Sequence, residues 1–234
     1  MQPVKNGNLS LKVLWSFKQK CISEYEWYLV VIDSNIQFYN DNAQAFFDAT
    51  VGVDLAPLYQ RFMRHIVKSG HILDAGCGSG RDAAFFHAQG YRVTAFDASP
   101  KLAELAATYC GLPVQVLRFE DIVWCHEFDA VWACASLLHI PPQQLPEIMR
   151  RLHTALKPEG ILYLSFKYGR GQHINNERYF NHLDELGLTQ MLSNVPCFTQ
   201  IDTWITTDQR PEHRSEHWLN SILKAQGGLT SASI

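Results

Sequence analysis

The chain has 234 residues, of which 47% are hydrophobic, and its 20 basic and 23 acidic residues give a net charge of −3. This length suits one substantial domain, and the composition is that of a packed globular protein rather than a disordered one. The balanced charge, without a long run of either sign, argues against a nucleic-acid partner, because proteins that bind phosphate backbones usually carry a basic face.

Six scattered cysteines form no CxxC pair, which indicates reduced thiols and gives no sign of a metal site. The longest apolar run near the start, Trp27–Ile32, has six residues. A membrane span needs about 20 residues and a signal-peptide core about 7–15. We therefore expect a cytoplasmic protein without a membrane partner.

Residues 1–36 show no sustained period, and we expect them to form an extension to a domain at 37–225, with a short tail at 226–234. Two helices are predicted between Phe38 and Gly70. Strands are then predicted at HILDA, YRVTAFD, PVQVLRF, FDAVWAC and ILYLSF, with helices after the first, second and fourth. A polar loop, the helix LDELGLTQML and the strand-like segments TQIDTWITT and HWLNSILK follow. This alternation predicts a doubly wound α/β domain that binds its ligand at the carboxyl ends of the strands.

A glycine-rich turn, DAGCGSG at 74–80, follows the first strand. Gly78–Ala83 also fits the GxGxxA form of a dinucleotide turn, and Asp97 could bind a ribose hydroxyl in either case. Asp74 favours one ligand over the other, because its charge would oppose a pyrophosphate and attract an ammonium group. S-adenosylmethionine combines a ribose, an ammonium and a carboxylate that Arg81 or the helix N-terminus could bind.

Five motifs in this order resemble those of the class I S-adenosylmethionine-dependent methyltransferases: DAGCGSG, FDAS, FEDI, FDAVWACASLLHI and LKPEGILYLSFK. The resemblance covers about residues 35–225. The GSGRD variant and the chain length are most similar to small bacterial tellurite-resistance-like methyltransferases. The resemblance implies a Rossmann-like, doubly wound, seven-stranded sheet, mostly parallel, with helices on both faces and an antiparallel last strand, for which HWLNSILK is the candidate.

The resemblance also implies cofactor contacts along these motifs. The glycine turn would bind the methionine half, Asp97 the ribose, and Glu120 or Asp121 the adenine. Many relatives carry an acid where this chain has Arg118, so the adenine contact depends on the two acids that follow. The expected cofactor-binding residues are Asp74, Gly76, Cys77, Gly78, Gly80, Arg81, Asp97, Ala98, Ser99, Glu120, Asp121, Cys134 and Ala135.

His139 follows the fourth strand, near the expected acceptor position, and its unperturbed pKa of about 6.5 suits a general base. A structural histidine is the alternative. Cations on later loops could bind an anionic acceptor or form surface ion pairs, and Tyr39 could close over the ligand or simply pack. The candidate substrate residues are Tyr39, Lys167, Tyr168, Arg170, Arg178 and Arg210.

The sequence therefore predicts an enzyme that transfers the methyl group of S-adenosylmethionine to a small-molecule acceptor by in-line displacement. It predicts no nucleic-acid or membrane partner, no metal, and a monomer or homodimer. A cofactor-binding sensor without turnover and an NAD-dependent oxidoreductase are the alternatives. A tellurite-like acceptor is an analogy from the resemblance alone.

Overall fold

The computed structural model describes residues 23–210 and 213–227. Most of the expected extension, 1–22, and most of the expected tail, 228–234, lie outside the described residues. The helices are α1 (Glu24–Asp41), α2 (Ala43–Thr50), α3 (Ala56–Met63), α4 (Arg81–Ala88), α5 (Pro100–Cys110), α6 (Leu145–Ala155) and α7 (Glu185–Ser193). The strands are β1 (His71–Ala75), β2 (Arg92–Asp97), β3 (Val114–Val116), β4 (Phe128–Ala133), β5 (Leu156–Lys167), β6 (Gly171–Asn175), β7 (Arg178–His182), β8 (Phe198–Thr207) and β9 (His217–Ala225).

Seven strands form one sheet in the order β3-β2-β1-β4-β5-β9-β8. Strands β1 to β5 pair in parallel, whereas β9 runs antiparallel to both β5 and β8. The predicted Rossmann-like fold is thus confirmed, and the HWLNSILK segment lies in its antiparallel strand. The strand order reverses between β1 and β4, which creates a crevice at the carboxyl ends of these strands.

Both faces of the sheet are covered, so β1 is buried along its whole length. On one face, Leu73 and Val131 pack with the apolar stripe of α6. On the other face, Trp132 packs with aromatic residues of α3 and α4 and stacks on Tyr163, with 3.9 Å between the ring centroids. No helix among the described residues is long and apolar enough to cross a membrane.

Helix α1 runs across residue 36, where sequence analysis placed the end of the extension. Its Trp27 and Val31 pack against Tyr179 of β7, while Tyr28 and Ile32 join the main core. This end of the helix is therefore packed against the domain.

The segment after β5 is a hairpin of β6 and β7, and its prediction as a polar loop is wrong. The hairpin turns at Asn176 and Glu177, whose φ angles are 49° and 60°. Two positive φ angles are typical of a type I′ turn, which sequence analysis recognises by a glycine. Because this turn is Asn-Glu, it carries no such signal.

A buried charge cluster joins α3, α4 and β4. The Asp82 carboxylate accepts hydrogen bonds from Tyr59 Oη at 2.5 Å and Trp132 Nε1 at 2.8 Å. It also forms a bidentate pair with Arg81, whose Nε lies 2.6 Å from Oδ1. Burial alone would raise the pKa of Asp82, but the Arg81 charge and these donors hold it below its usual value. Asp82 is therefore ionised at neutral pH.

We expect Asp82→Ala to lower the free energy of unfolding by about 3–5 kcal/mol, because it leaves the Arg81 guanidinium buried without its partner. Urea denaturation at pH 7 measures this loss. The control is Arg150→Ala, which removes a surface ion pair with Glu147 and should cost less than about 1 kcal/mol. Equal effects of the two substitutions would contradict the structural role of Asp82.

Candidate functional site

A cavity lies between the carboxyl ends of the central strands and helix α1. The segments that follow β1, β2, β3 and β4 form one wall. Helix α1 and the short 3₁₀ helix Leu137–His139 form the other. The predicted site residues that line the cavity are Tyr39, Gly76, Gly78, Asp97, Ala98, Ser99, Glu120, Ala135 and His139.

The other predicted residues lie outside this lining, several of them directly behind it. They are Asp74, Cys77, Gly80, Arg81, Asp121, Cys134, Lys167, Tyr168, Arg170, Arg178 and Arg210. The lining also includes residues that were not predicted for the site, among them Ile32, Asn35, Ile36, Phe46 and Ser136. Ser136 follows the fourth strand within a quoted motif, so its position was a signal that sequence analysis did not use.

The Asp97 carboxylate connects two turns of the cavity wall. Its Oδ2 accepts the N–H of Gly78 and its Oδ1 accepts the N–H of Ser99, both at 2.9 Å. Burial raises the pKa of Asp97, and these two hydrogen bonds oppose the rise. Each carboxylate oxygen has a second lone pair. Asp97 can therefore accept a ligand hydroxyl while it holds the glycine turn.

Gly76 and Gly80 have different tasks in the glycine turn. Gly76 has a φ of 76°, and a Cβ there would lie 2.7 Å from Ser136 Cβ across the cavity wall. Gly80 has a φ of 74°, and a Cβ there would lie 2.9 Å from both Cβ and the carbonyl oxygen of Ala106. Gly76 thus shapes the cavity, whereas Gly80 lets α4 pack against α5.

Ala135 takes a positive φ of 52°, unusual for a residue with a side chain. Its N–H donates to Ser165 Oγ at 2.8 Å, and that contact holds the turn after β4 against β5. Cys134 Sγ also lies 3.9 Å from Ser165 Oγ. The turn therefore presents the backbone of Ala135 to the cavity, with the Cys134 thiol behind it.

Asp74 and Arg81 lie behind the glycine turn. The Asp74 side chain is buried, and its Oδ2 has no hydrogen-bond partner among the described residues. Burial and the nearby Asp82 charge raise the pKa of Asp74 well above its usual value. The Arg81 guanidinium is engaged with Asp82 and with the Thr50 carbonyl, 3.2 Å away, so its charge is already compensated.

Glu120 lines the cavity, whereas its neighbour Asp121 does not. Arg118 donates to Asp33 on α1 at 2.7 Å and lies 3.9 Å from Glu120. Of the two acids expected near the adenine, Glu120 is the one at the cavity.

His139 uses both ring nitrogens. Its Nδ1 lies 2.9 Å from the Tyr179 carbonyl oxygen, and its Nε2 lies 2.9 Å from Tyr39 Oη. A carbonyl can only accept, so Nδ1 carries the proton and Nε2 accepts the hydroxyl of Tyr39. Burial lowers the pKa of His139 to about 4. At neutral pH the imidazole is uncharged and its basic nitrogen is occupied.

The side chain of Asn35 fastens α1 to the hairpin. Its Oδ1 accepts the N–H of Tyr179 at 2.8 Å, and its Nδ2 donates to the Tyr179 carbonyl at 3.2 Å. That carbonyl is also the partner of His139. One backbone position of β7 therefore connects Asn35 of α1 with the histidine at the cavity wall.

Three of the four cations assigned to substrate binding form ion pairs, as the alternative in the sequence analysis allowed. The pairs are Lys167 with Glu216 at 2.5 Å, Arg210 with Asp208 at 2.6 Å, and Arg170 with Asp184. Tyr168 lies at the surface and donates its hydroxyl to Glu185 at 3.1 Å.

The fourth cation, Arg178, lies against aromatic rings. Its guanidinium carbon is 4.5 Å from the ring centroid of Phe38 and 5.1 Å from that of Phe180. Its Nη1 donates a long hydrogen bond, 3.4 Å, to Tyr39 Oη. Within 23–210 and 213–227, no group of three or more His, Cys, Asp or Glu side chains could hold a metal ion.

Residues 72–160 match a family model described as a methyltransferase domain. An uncharacterized methyltransferase of Synechocystis is 34% identical over 99 residues, which are 40% of this chain and 45% of that protein. The chain thus spans less than half the length of this relative. A carboxy-S-adenosyl-L-methionine synthase of Desulfotalea psychrophila is 26% identical over 187 residues, 70% of this chain and 71% of that protein.

The structure is similar to a crystal structure of 1,6-didemethyltoxoflavin-N1-methyltransferase from Burkholderia thailandensis. That structure holds 1,6-didemethyltoxoflavin and S-adenosylhomocysteine. The TM-score is 0.72 with 25% sequence identity, over 88% of this chain and 92% of that one. The similarity in fold therefore extends well beyond residues 72–160.

We expect His139 to stay neutral, as the Nδ1–H tautomer, throughout the range from about pH 5.5 to 8, because burial disfavours its charged form. Nitrogen-detected NMR of the imidazole would show this, with His139→Gln used to assign the resonance. A titration midpoint near the unperturbed value of about 6.5 would contradict the buried, doubly hydrogen-bonded geometry.

Proposed function

We propose that this protein, whose residues 72–160 match a methyltransferase domain, transfers the methyl group of S-adenosylmethionine to a small molecule in the cavity beneath α1. One observation carries the proposal. The glycine turn held by Asp97 and the Tyr39–His139 pair line the same cavity, so a cofactor wall and an acceptor wall face one space.

The residues of the first wall suit the cofactor. The space that Gly76 leaves beside Ser136 would be filled by a Cβ, and Asp97 has lone pairs free for ribose hydroxyls. Glu120 lines the same cavity and would contact the adenine. When bound, the cofactor supplies a methyl group that its positive sulfur already makes electrophilic.

Asp74 is buried behind the glycine turn and would act on the cofactor through its charge. Its unpartnered oxygen is a buried acceptor, and the ammonium group of the cofactor would favour its ionised form. We assign Asp74 to the electrostatic stabilisation of that ammonium. Arg81, already paired with Asp82, supports the turn through α4.

Because the methyl group is already reactive, the protein contributes mainly alignment, which can supply up to about 7–11 kcal/mol. His139 fits this role as a positioning residue. It holds the Tyr39 hydroxyl at the cavity and is itself held by the Tyr179 carbonyl. We therefore assign His139 to orientation of the acceptor wall rather than to proton abstraction.

A small acceptor agrees with the enclosure of the cavity by α1 and with its apolar side chains, among them Ile32, Ile36 and Phe46. The similar Burkholderia enzyme has 1,6-didemethyltoxoflavin bound in its crystal structure. Membership of the tellurite-resistance-like group is part of the proposal and rests on the GSGRD variant and the chain length.

The test is turnover with S-adenosylmethionine that carries a radiolabelled methyl group. We expect formation of S-adenosylhomocysteine that depends on an acceptor from a panel of phenols, heterocycles, carboxylic acids and tellurite, and that Asp97→Ala abolishes. Arg150→Ala, on the outer surface of α6, is the control and should retain full activity. Label in protein or RNA but in no small molecule would contradict the small-molecule proposal, and binding without any transfer would favour the sensor.

A further inference from the structure

We propose that the methyl acceptor is an organic anion and that the guanidinium of Arg178 binds its negative charge beside Tyr39. The inference rests on the proposed function, because it names the class of acceptor for the same site. Arg178 lies outside the cavity lining but reaches it at Tyr39, whose hydroxyl accepts its hydrogen bond. The inference follows from the surroundings of Arg178 and from the hydrogen bonds of Tyr39 and His139.

Arg178 is half-buried at the start of β7. The rings of Phe38 and Phe180 fix the position of the guanidinium but offer it only their faces. Its Nε is buried and has no hydrogen-bond partner in the part of the chain that the structure describes. The only hydrogen bond that the guanidinium makes to described residues is the long one to Tyr39 Oη.

The neighbouring cations differ from Arg178 in one respect. Lys167 and Arg210 each have a carboxylate partner within 2.6 Å. Arg178 has none among the described side chains. A charged group that is partly desolvated without a counterion is unfavourable, and an anion placed beside it relieves that cost. The site is therefore arranged to attract a negative charge.

The hydrogen bonds of Tyr39 and His139 leave neither side chain free to act as a base, so neither could remove a proton from a protonated acceptor. The lone pair of His139 Nε2 is taken by the Tyr39 hydroxyl, and the Nδ1 proton by the Tyr179 carbonyl. The oxygen of Tyr39 in turn accepts from Arg178. An acceptor that is already anionic has no proton to lose. It therefore leaves the hydrogen bonds among His139, Tyr39, Arg178 and the Tyr179 carbonyl intact.

With an anionic acceptor, the bonds and charges of the methyl transfer balance without a co-reactant. A lone pair of the anionic acceptor forms the bond to the methyl carbon, and the electron pair of the breaking carbon–sulfur bond stays with sulfur. One negative and one positive charge become two neutral products, and no proton is released. Arg178 neutralises the acceptor before transfer and lies against apolar rings, which fits an aromatic or otherwise apolar body.

The test uses three matched acid–amide pairs as probes: benzoate and benzamide, salicylate and salicylamide, nicotinate and nicotinamide. Each is titrated calorimetrically into the protein saturated with S-adenosylhomocysteine. We expect at least one acid to bind the unmodified protein about tenfold or more tightly than its amide, because a hydrogen bond to a charged group is worth more than one to a neutral group.

Arg178→Gln should remove this preference for the acid, and Arg178→Lys should restore it in part, since the ammonium keeps the charge but not the fork of donors. Arg150→Gln, which removes an arginine from the surface of α6, should leave the preference unchanged. All variants should bind S-adenosylhomocysteine with equal affinity, which also shows that they are folded.

The inference is overturned if no acid binds more tightly than its amide, or if Arg178→Gln keeps the preference. Failure of the unmodified protein to bind S-adenosylhomocysteine would instead count against the proposed function. The two failures are therefore distinguishable.

Discussion

The two hydrogen bonds that Asp97 accepts are the interaction on which the site depends. They join Asp97 both to Gly78 of the glycine turn, 19 residues earlier in the chain, and to Ser99, which caps α5. Ser99 continues the connection, because its hydroxyl donates to Asn40 Oδ1 of α1 at 2.7 Å. The carboxylate therefore positions the cofactor wall and, through Ser99, the helix that covers it.

Helix α1 joins the two walls. Its Asn40 contacts the start of α5, its Tyr39 contacts His139, and its Asn35 pairs with the backbone of β7. Asn35 and Tyr39 are four positions apart and therefore share one face of the helix, and Asn40 follows Tyr39 directly. Helix α1 therefore contacts both the proposed cofactor wall and the proposed acceptor wall, and these contacts position the two walls relative to each other.

The sequence was sufficient to predict that the glycine turn and Asp97 come together, because the determinants of this proposed cofactor wall are local. The glycines and Asp97 lie next to strand ends that a short apolar run defines, and the structure places Gly76, Gly78 and Asp97 at one cavity. The surroundings of Arg81 were harder to predict, since the neighbouring Asp82 pairs with the guanidinium that was expected to bind the cofactor carboxylate. That pairing depends on burial of Tyr59 and on the fold around it, which a motif does not reveal.

The proposed acceptor wall depends on contacts between distant residues. Tyr39 and His139 were singled out from the sequence, but Asn35 and the hydrogen bonds that connect these residues to the hairpin were not. Helix α1 shows no clear period because Trp27–Ile32 is an unbroken apolar run. Val30 packs with Trp27 and Val31 on the hairpin, and Leu29 packs with Tyr28 and Ile32 on the main core. The role of His139 as a general base was inferred from its ordinary pKa. Burial, which lowers that pKa, and the hydrogen bonds of both ring nitrogens are not visible in the sequence, and they support the positioning role that we propose.

Isothermal titration with S-adenosylmethionine, S-adenosylhomocysteine and NADH, on the unmodified protein and on Asp97→Ala, tests the central claim most directly. The account predicts that both sulfur nucleosides bind the unmodified protein, that Asp97→Ala binds neither with comparable affinity, and that NADH does not bind. Binding of NADH in preference to the sulfur nucleosides, or unchanged affinity in Asp97→Ala, would contradict it.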